Sequence, residues 1–350
     1  MSSATSKLNI EKSVNEILST IDREREREII SRRFGLFDRK ETLEQIGELL
    51  GITRERVRQL EKAVLLKLKD SAKQGKLLHV NKLQPVFRET ISEHGDIIRI
   101  SELSNFLTEN NSRTDQAQVS FIAELCPELV VIEENDNYNH AAGIRSTHDE
   151  SKIKELIEII ISTIQKIGHQ VPIEKVAKQA DHDLSVQHTR ALASVSKHLA
   201  TLNGHWGLIK WPTVNPKNIR DKIYVILSEN GKPMHFSEIA NDIKKSNFKR
   251  KDVTVQAIHN ELIKDKRFVL IGRGIYALKE WGYEKGTVAD IIVDVLKKAE
   301  KPLHRDEIIK QVLKSRFVKE TTILLNLQGK AQFKRVAKAT YGLSEPVTTK

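Results

Sequence analysis

A chain of 350 residues is long enough for two or more domains, and 39% hydrophobic residues can fill packed cores, which excludes a disordered chain. No apolar run approaches the roughly 18 residues of a membrane span, the start MSSATSKLNIEKS lacks the apolar stretch of a secretory signal, and the single Cys126 excludes an internal disulfide and a cysteine-based zinc finger. With 58 Lys+Arg against 47 Asp+Glu the net charge is +11, so the expectation is a cytoplasmic, nucleoid-associated protein that meets nucleic acid.

The charge is held in blocks. Residues 1–75 carry 16 basic and 13 acidic side chains, and residues 76–150 carry 6 and 13. Residues 151–215 carry 8 and 5, and residues 216–350 carry 28 and 16. An acidic block is repelled by phosphates, so residues 76–150 are not expected on DNA. They are either a solvated surface or a docking face for a basic protein partner.

Residues 12–70 read as almost continuous helix. Val14, Ile17, Leu18 and Ile21 recur at helical spacing. The alternating charges of Asp22–Glu28 suit a solvated helix laced with ion pairs. Ile29, Ile30 and Phe34 restore an apolar face, and Gly35 is a helix stop. Thr42 with Gln45 forms a capping-box pattern ahead of a stripe of Leu43, Ile46, Leu49 and Leu50. Gly51 supplies a tight turn, and Thr53 caps a longer helix. Val57, Leu60, Val64 and Leu68 point that helix inward, and Arg54, Glu55, Arg58, Gln59 and Lys62 face out. Helix, glycine turn and helix make a helix-turn-helix, whose second helix enters the major groove with its N-terminal residues on base edges. Arg can bridge guanine, Glu can accept from cytosine, and Gln can pair with adenine.

Asp22–Leu36, DREREREIISRRFGL, with Thr42–Leu68, TLEQIGELLGITRERVRQLEKAVLLKL, resembles region 4 of bacterial sigma-70-type factors. The resemblance implies reading of a promoter −35 element in double-stranded DNA and docking on the flap of the bacterial RNA polymerase beta subunit. Carried over by motif position, it makes Arg54, Glu55 and Gln59 base readers. Thr42, Arg56 and Arg58 become phosphate or positioning contacts, with Lys62 on the same outward face. The residues before the match contain no aromatic, unlike the region that opens the −10 element, so autonomous promoter melting is not expected.

The C-terminal third contains a repeat. Lys232-Pro-Met-His-Phe-Ser-Glu-Ile239 answers Lys301-Pro-Leu-His-Arg-Asp-Glu-Ile308, and Phe268–Leu278 answers Phe333–Leu343 with Phe and Tyr at equal spacing. Each copy reads as three helices followed by a strand pair, a winged helix. Looser copies precede them. One has helices over Lys152–Ile167, Pro172–Gln179 and Thr189–Leu199, with Trp206–Trp211 as wing. The other runs from Pro85–Glu93 through Ile100–Leu107 to Leu129–Ile132 and Tyr138. The copy at Ile219–Gly282 resembles the HARE-HTH domain, through GKPMHFSEIANDI and RFVLIGRGIYALKEWG. That resemblance implies DNA or polymerase contact. Lys244, Lys245, Lys249, Arg250 and Lys251 then lie where a winged helix approaches phosphates. His235 and His304, one per copy, read as structural rather than metal ligands, and Trp206, Trp211, Tyr276 and Tyr341 as apolar wing residues.

No phosphate loop, dinucleotide fingerprint, zinc-protease motif or nucleophile elbow occurs. His182, Asp183 and His188 do not share one helix face, so neither a metal nor a cofactor is expected, and the chain is read as no enzyme. Cys126 reads as core.

The expected fold is therefore mainly α: a helix-turn-helix domain at 1–75, then tandem winged-helix modules with small β-hairpin wings at 76–148, 149–215, 216–284 and 285–350. The expected function is sequence-specific promoter binding with RNA polymerase, without membrane attachment. Two other readings are a polymerase-docking protein without its own promoter readout, and a DNA-binding accessory of a restriction or defence system.

Overall fold

The computed structural model describes residues 8–344 apart from 148, 181, 182, 284, 285, 316 and 317. His182 therefore lies outside the described residues. Two compact units are present, Met1–Lys210 and Trp211–Lys350. The architecture is mainly helical, with four small antiparallel sheets among the described residues.

The first unit opens with four helices, α1 (Ile10–Ser19), α2 (Glu24–Phe34), α3 (Leu43–Leu50) and α4 (Arg54–Lys73). Asn9 caps α1, and Gly35 ends α2 in the left-handed region at φ 71°. Then follow α5 (Leu78–Glu93), β1 (Ile97–Arg99), α6 (Ile100–Leu107), α7 (Arg113–Leu125), β2 (Leu129–Ile132) and β3 (Ala141–Ile144). The unit closes with α8 (Glu150–Ile167), β4 (Val171–Pro172), α9 (Ile173–Gln179), α10 (Val186–Val195), β5 (Leu199–Leu202) and β6 (His205–Leu208).

The second unit repeats this order twice. The first copy is α11 (Ile219–Asn230), β7 (Met234–His235), α12 (Phe236–Lys245), α13 (Val255–Lys264), β8 (Phe268–Leu270) and β9 (Ile275–Leu278). The second is α14 (Val288–Ala299), β10 (Leu303–His304), α15 (Arg305–Ser315), α16 (Glu320–Gly329), β11 (Phe333–Ala337) and β12 (Thr340–Leu343). In all four copies the last strand lies in the middle of its sheet, between the short first strand and the second. Each is thus a winged helix with a three-stranded sheet. Sequence patterning predicts only the hairpin. The extra strands are the K-P-φ-H stretches and their counterparts, two or three residues long.

Cores follow the apolar stripes. Ile29, Ile46 and Val57 form a small cluster between α2, α3 and α4. A much larger cluster joins Ile10, Val14, Ile17, Ile30, Leu36, Val64 and Leu68 to Phe87, Leu103, Phe121, Ile122 and Leu129. The four-helix start and the segment carrying the acidic block therefore share one apolar interior.

Several expectations need correction. Leu49 is 54% exposed and not part of the α3 stripe. The third helix of the first winged-helix copy, which the sequence pattern implies without placing, is α7 at Arg113–Leu125, and the first helix starts at Leu78 with Pro85 inside it. Tyr138 stands outside the sheet in an isolated bridge to Ser196. α10 ends at Val195, and Leu199 already belongs to β5. Trp211 lies beyond β6 and is half-buried, whereas Trp206, Tyr276 and Tyr341 are buried in their strands. Among the described residues no helix is long and apolar enough to cross a membrane.

Candidate nucleic-acid interface

The helix-turn-helix is built by its caps. The Thr42 side chain accepts from the Gln45 N–H at 3.3 Å, and the Gln45 side chain accepts from the Thr42 N–H at 2.9 Å. Thr53 caps α4 by accepting from the Arg56 N–H at 3.2 Å. Between them Gly51 turns at φ +62°, and the Ile52 N–H closes on the Gly47 carbonyl at 2.9 Å. A residue outside the sequence-predicted set fixes this turn. Gly47 is buried, and a Cβ there would lie 2.6 Å from the Ile52 carbonyl oxygen. Its signal is a glycine inside an otherwise good helix. On the other side, Arg25 donates to the Leu50 carbonyl at 2.5 Å and Arg33 to the Glu41 carbonyl at 2.9 Å.

The first turns of α4 present Arg54, Glu55, Arg56, Arg58, Gln59 and Lys62, with Val57 buried beneath them. Thr42 stands at the start of α3. Several of these groups are engaged by neighbouring side chains. Arg54 pairs with Glu44 at 2.5 Å. Arg58 donates twice to Glu55, at 2.8 and 2.6 Å, and Gln59 reaches the same carboxylate at 3.4 Å. Those Arg58 bonds hold the Glu55 carboxyl below the usual carboxylate range. Ion pairs exposed to water are weak, so a base edge or phosphate can take their place.

In the second unit Lys244 and Lys245 end α12, and Lys249, Arg250 and Lys251 are exposed in the loop before α13 rather than on the helix. The loop is organised from below. Lys222 of α11 is 4% exposed and donates to the Arg250 carbonyl at 2.7 Å, where Arg250 sits at φ 55°. Burial pushes the Lys222 ammonium down from its usual value, and the Arg250 charge adds to this. Sequence patterning gives no sign of Lys222, because a lysine on a helix is usually solvated.

The remaining candidates are structural. His235 caps α12: its Nδ1 accepts from the Ser237 N–H at 3.3 Å, and Glu238 accepts from the His235 N–H at 2.9 Å. His304 repeats the role, accepting from the Asp306 N–H at 3.4 Å. Among the described residues no group of three His, Cys, Asp or Glu could hold a metal ion. Cys126 is 2% exposed at the end of α7.

Comparison with known proteins gives two family matches. Residues 23–70 match the model for sigma-70, region 4. Residues 219–281 match the model for HARE-HTH, a helix-turn-helix domain named in part for ASXL and restriction endonuclease proteins. The chain is similar to RNA polymerase sigma factor SigA of Bacillus sp, 39% identical over 69 residues, which is 19% of this chain and 18% of that protein. It is also similar to RNA polymerase sigma factor sigB of Arabidopsis thaliana, 46% identical over 54 residues, 15% of this chain and 9% of the other. The chain thus spans less than a fifth of either relative. The two family matches are to one region of sigma factors and to a helix-turn-helix domain, and they lie on separate stretches of the chain.

Proposed function

We propose that this protein is a sequence-specific DNA-binding transcription factor that acts with bacterial RNA polymerase at promoters. Its α4 reads a −35-type element through Arg54, Glu55 and Gln59. Arg56, Arg58, Lys62 and Thr42 hold the flanking phosphates and set the register. Lys249, Arg250 and Lys251 supply a second phosphate contact from the other unit. The protein acts by binding rather than by catalysis, and its polymerase partner surface is the beta-subunit flap. The same reading takes residues 1–75 as a helix-turn-helix module that shares its core with the next segment, followed by winged-helix modules at 76–148, 149–215, 216–284 and 285–350.

The observation that carries the reading is the exposed N-terminal half of α4. It is capped by Thr53, seated on Val57 and set by the Gly47–Ile52 turn, within the stretch that matches sigma-70 region 4. Genome-wide mapping of bound DNA alongside polymerase occupancy tests it. Enrichment over −35 positions is expected, and binding spread evenly along genes would contradict it.

A second reading has one observation in its favour. Arg54 and Arg58 are each engaged by a carboxylate in the free chain. A protein that only docks on polymerase could keep them so. Capture of core polymerase with no mobility shift of promoter DNA would favour that reading.

A further inference from the structure

A winged helix reaches nucleic acid through its third helix and its wing. In the first unit these parts are turned inward. α7 is buried from Gln118 through Ala123 and at Leu125, and it packs on α1, α2, α4, α5 and α6. Its Phe121 meets Phe34 edge-on with ring centroids 5.0 Å apart. The Gln118 side chain donates to the Leu36 carbonyl at 2.8 Å, and Glu124 pairs with Lys69 of α4. A helix that forms the floor under the helix-turn-helix cannot also lie in a groove.

The wing of the same copy, between β2 and β3, is tied to the next copy. Tyr138 bridges to Ser196, the Asn139 N–H donates to the Val195 carbonyl at 2.8 Å, and Lys197 pairs with Glu134 at 2.8 Å. Glu133 and Asp136 on its outer side are exposed, and they repel phosphate.

α10, the third helix of the following copy, is consumed in return. It packs along β1, and Arg99 donates to the Ser194 carbonyl at 2.5 Å. A Cβ on Gly95 would lie 2.7 Å from the Gln187 carbonyl oxygen, so α10 seats directly on the turn before β1. The hairpin β5–β6 has an exposed tip, but Leu199–Leu208 contains neither Lys nor Arg.

We infer that residues 76–210 are a rigid stem that holds the helix-turn-helix, and that the first unit enters a DNA duplex through α3 and α4 alone. This rests on the reading of α4 as the DNA-contacting helix.

The test uses the full chain and a promoter-type duplex over a range of salt. One variant is Arg113→Ala with Arg190→Ala, which removes the exposed arginines of α7 and α10. The other is Arg56→Ala with Lys62→Ala, which removes two of the exposed groups on α4 read as phosphate contacts. The stem predicts that the first leaves affinity and the log–log salt slope unchanged, and that the second lowers the slope by about 1 for each phosphate no longer neutralised. Loss of slope in the first variant overturns the stem, and an unchanged slope in the second overturns the reading of α4. Amide exchange separates the two ideas further. The stem requires α7 and α10 to exchange as slowly as the core in the free chain and to gain no protection on adding duplex. Fast exchange in either helix, or protection gained there, overturns it whatever α4 does.

Discussion

Glu55 and Arg58 show how single side chains set the state of the outward face of α4. Their doubled hydrogen bond engages both side chains, so the proposed recognition by α4 would require Arg58 and Glu55 to exchange partners. Two other residues give predictions at this scale. Burial pushes the Cys126 thiol up to about 12, with the Glu128 charge adding to this. Cys126 should resist alkylation near pH 8 in the native protein and react on unfolding; rapid native alkylation would contradict its burial. His140 is held below its usual value by burial and then by the Lys40 charge, and its Nε2 lies 2.9 Å from Ser120 Oγ. A depressed histidine binds its proton more readily in the unfolded chain. Its contribution is therefore complete above about pH 6.5 and is lost as pH falls below that. Denaturant midpoints should drop on acidification, and His140→Asn should flatten that slope; an equal slope in the variant would refute the assignment.

At the scale of elements, the helix-turn-helix depends on close backbone contact at Gly47. Alanine in a helix interior ordinarily stabilises by up to about 1 kcal/mol over glycine. Here the added Cβ would press on a backbone oxygen, so Gly47→Ala should instead destabilise by about 1–3 kcal/mol in denaturant titration. Stabilisation would show that the turn has room to shift. The same scale shows what is legible in the sequence. The caps of α3 and α4, the stop at Gly35 and the outward set on α4 are readable because cap chemistry and amphipathic spacing are local. α7 is not, because its second half is buried on nearly every side and carries no one-sided stripe. The first strands escape because two or three residues show no alternation. Lys222 and Gly47 act through backbone contacts that composition does not reveal.

At the scale of the molecule, the basic excess and the reading helix are separate things. The C-terminal stretch, with 28 basic against 16 acidic side chains, holds the net positive excess, and α4 lies in a segment that is only slightly basic, built onto an acidic one. In the proposed reading, the basic C-terminal stretch adds phosphate attraction at a distance in sequence from the base-reading side chains of α4. Because α1 and α4 share a core with α5 and α7, the helix-turn-helix should not unfold independently of residues 78–144. Amides of Val64 and Leu68 in α4 should exchange with the same opening free energy as those of Phe121 and Ile122. A fragment of residues 1–75 should be unfolded, and a cooperatively folded fragment would contradict the shared core.

The central claim is that α4 reads bases. Binding of the full chain to a −35-like duplex and to a scrambled duplex, at one fixed salt concentration, tests it most directly with Arg54→Ala and Gln59→Ala. Each variant is predicted to lose about 1–3 kcal/mol on the −35-like duplex and little on the scrambled one. Equal losses on both duplexes would mean that these side chains meet only the phosphate backbone, and the account of α4 as a base reader would be wrong.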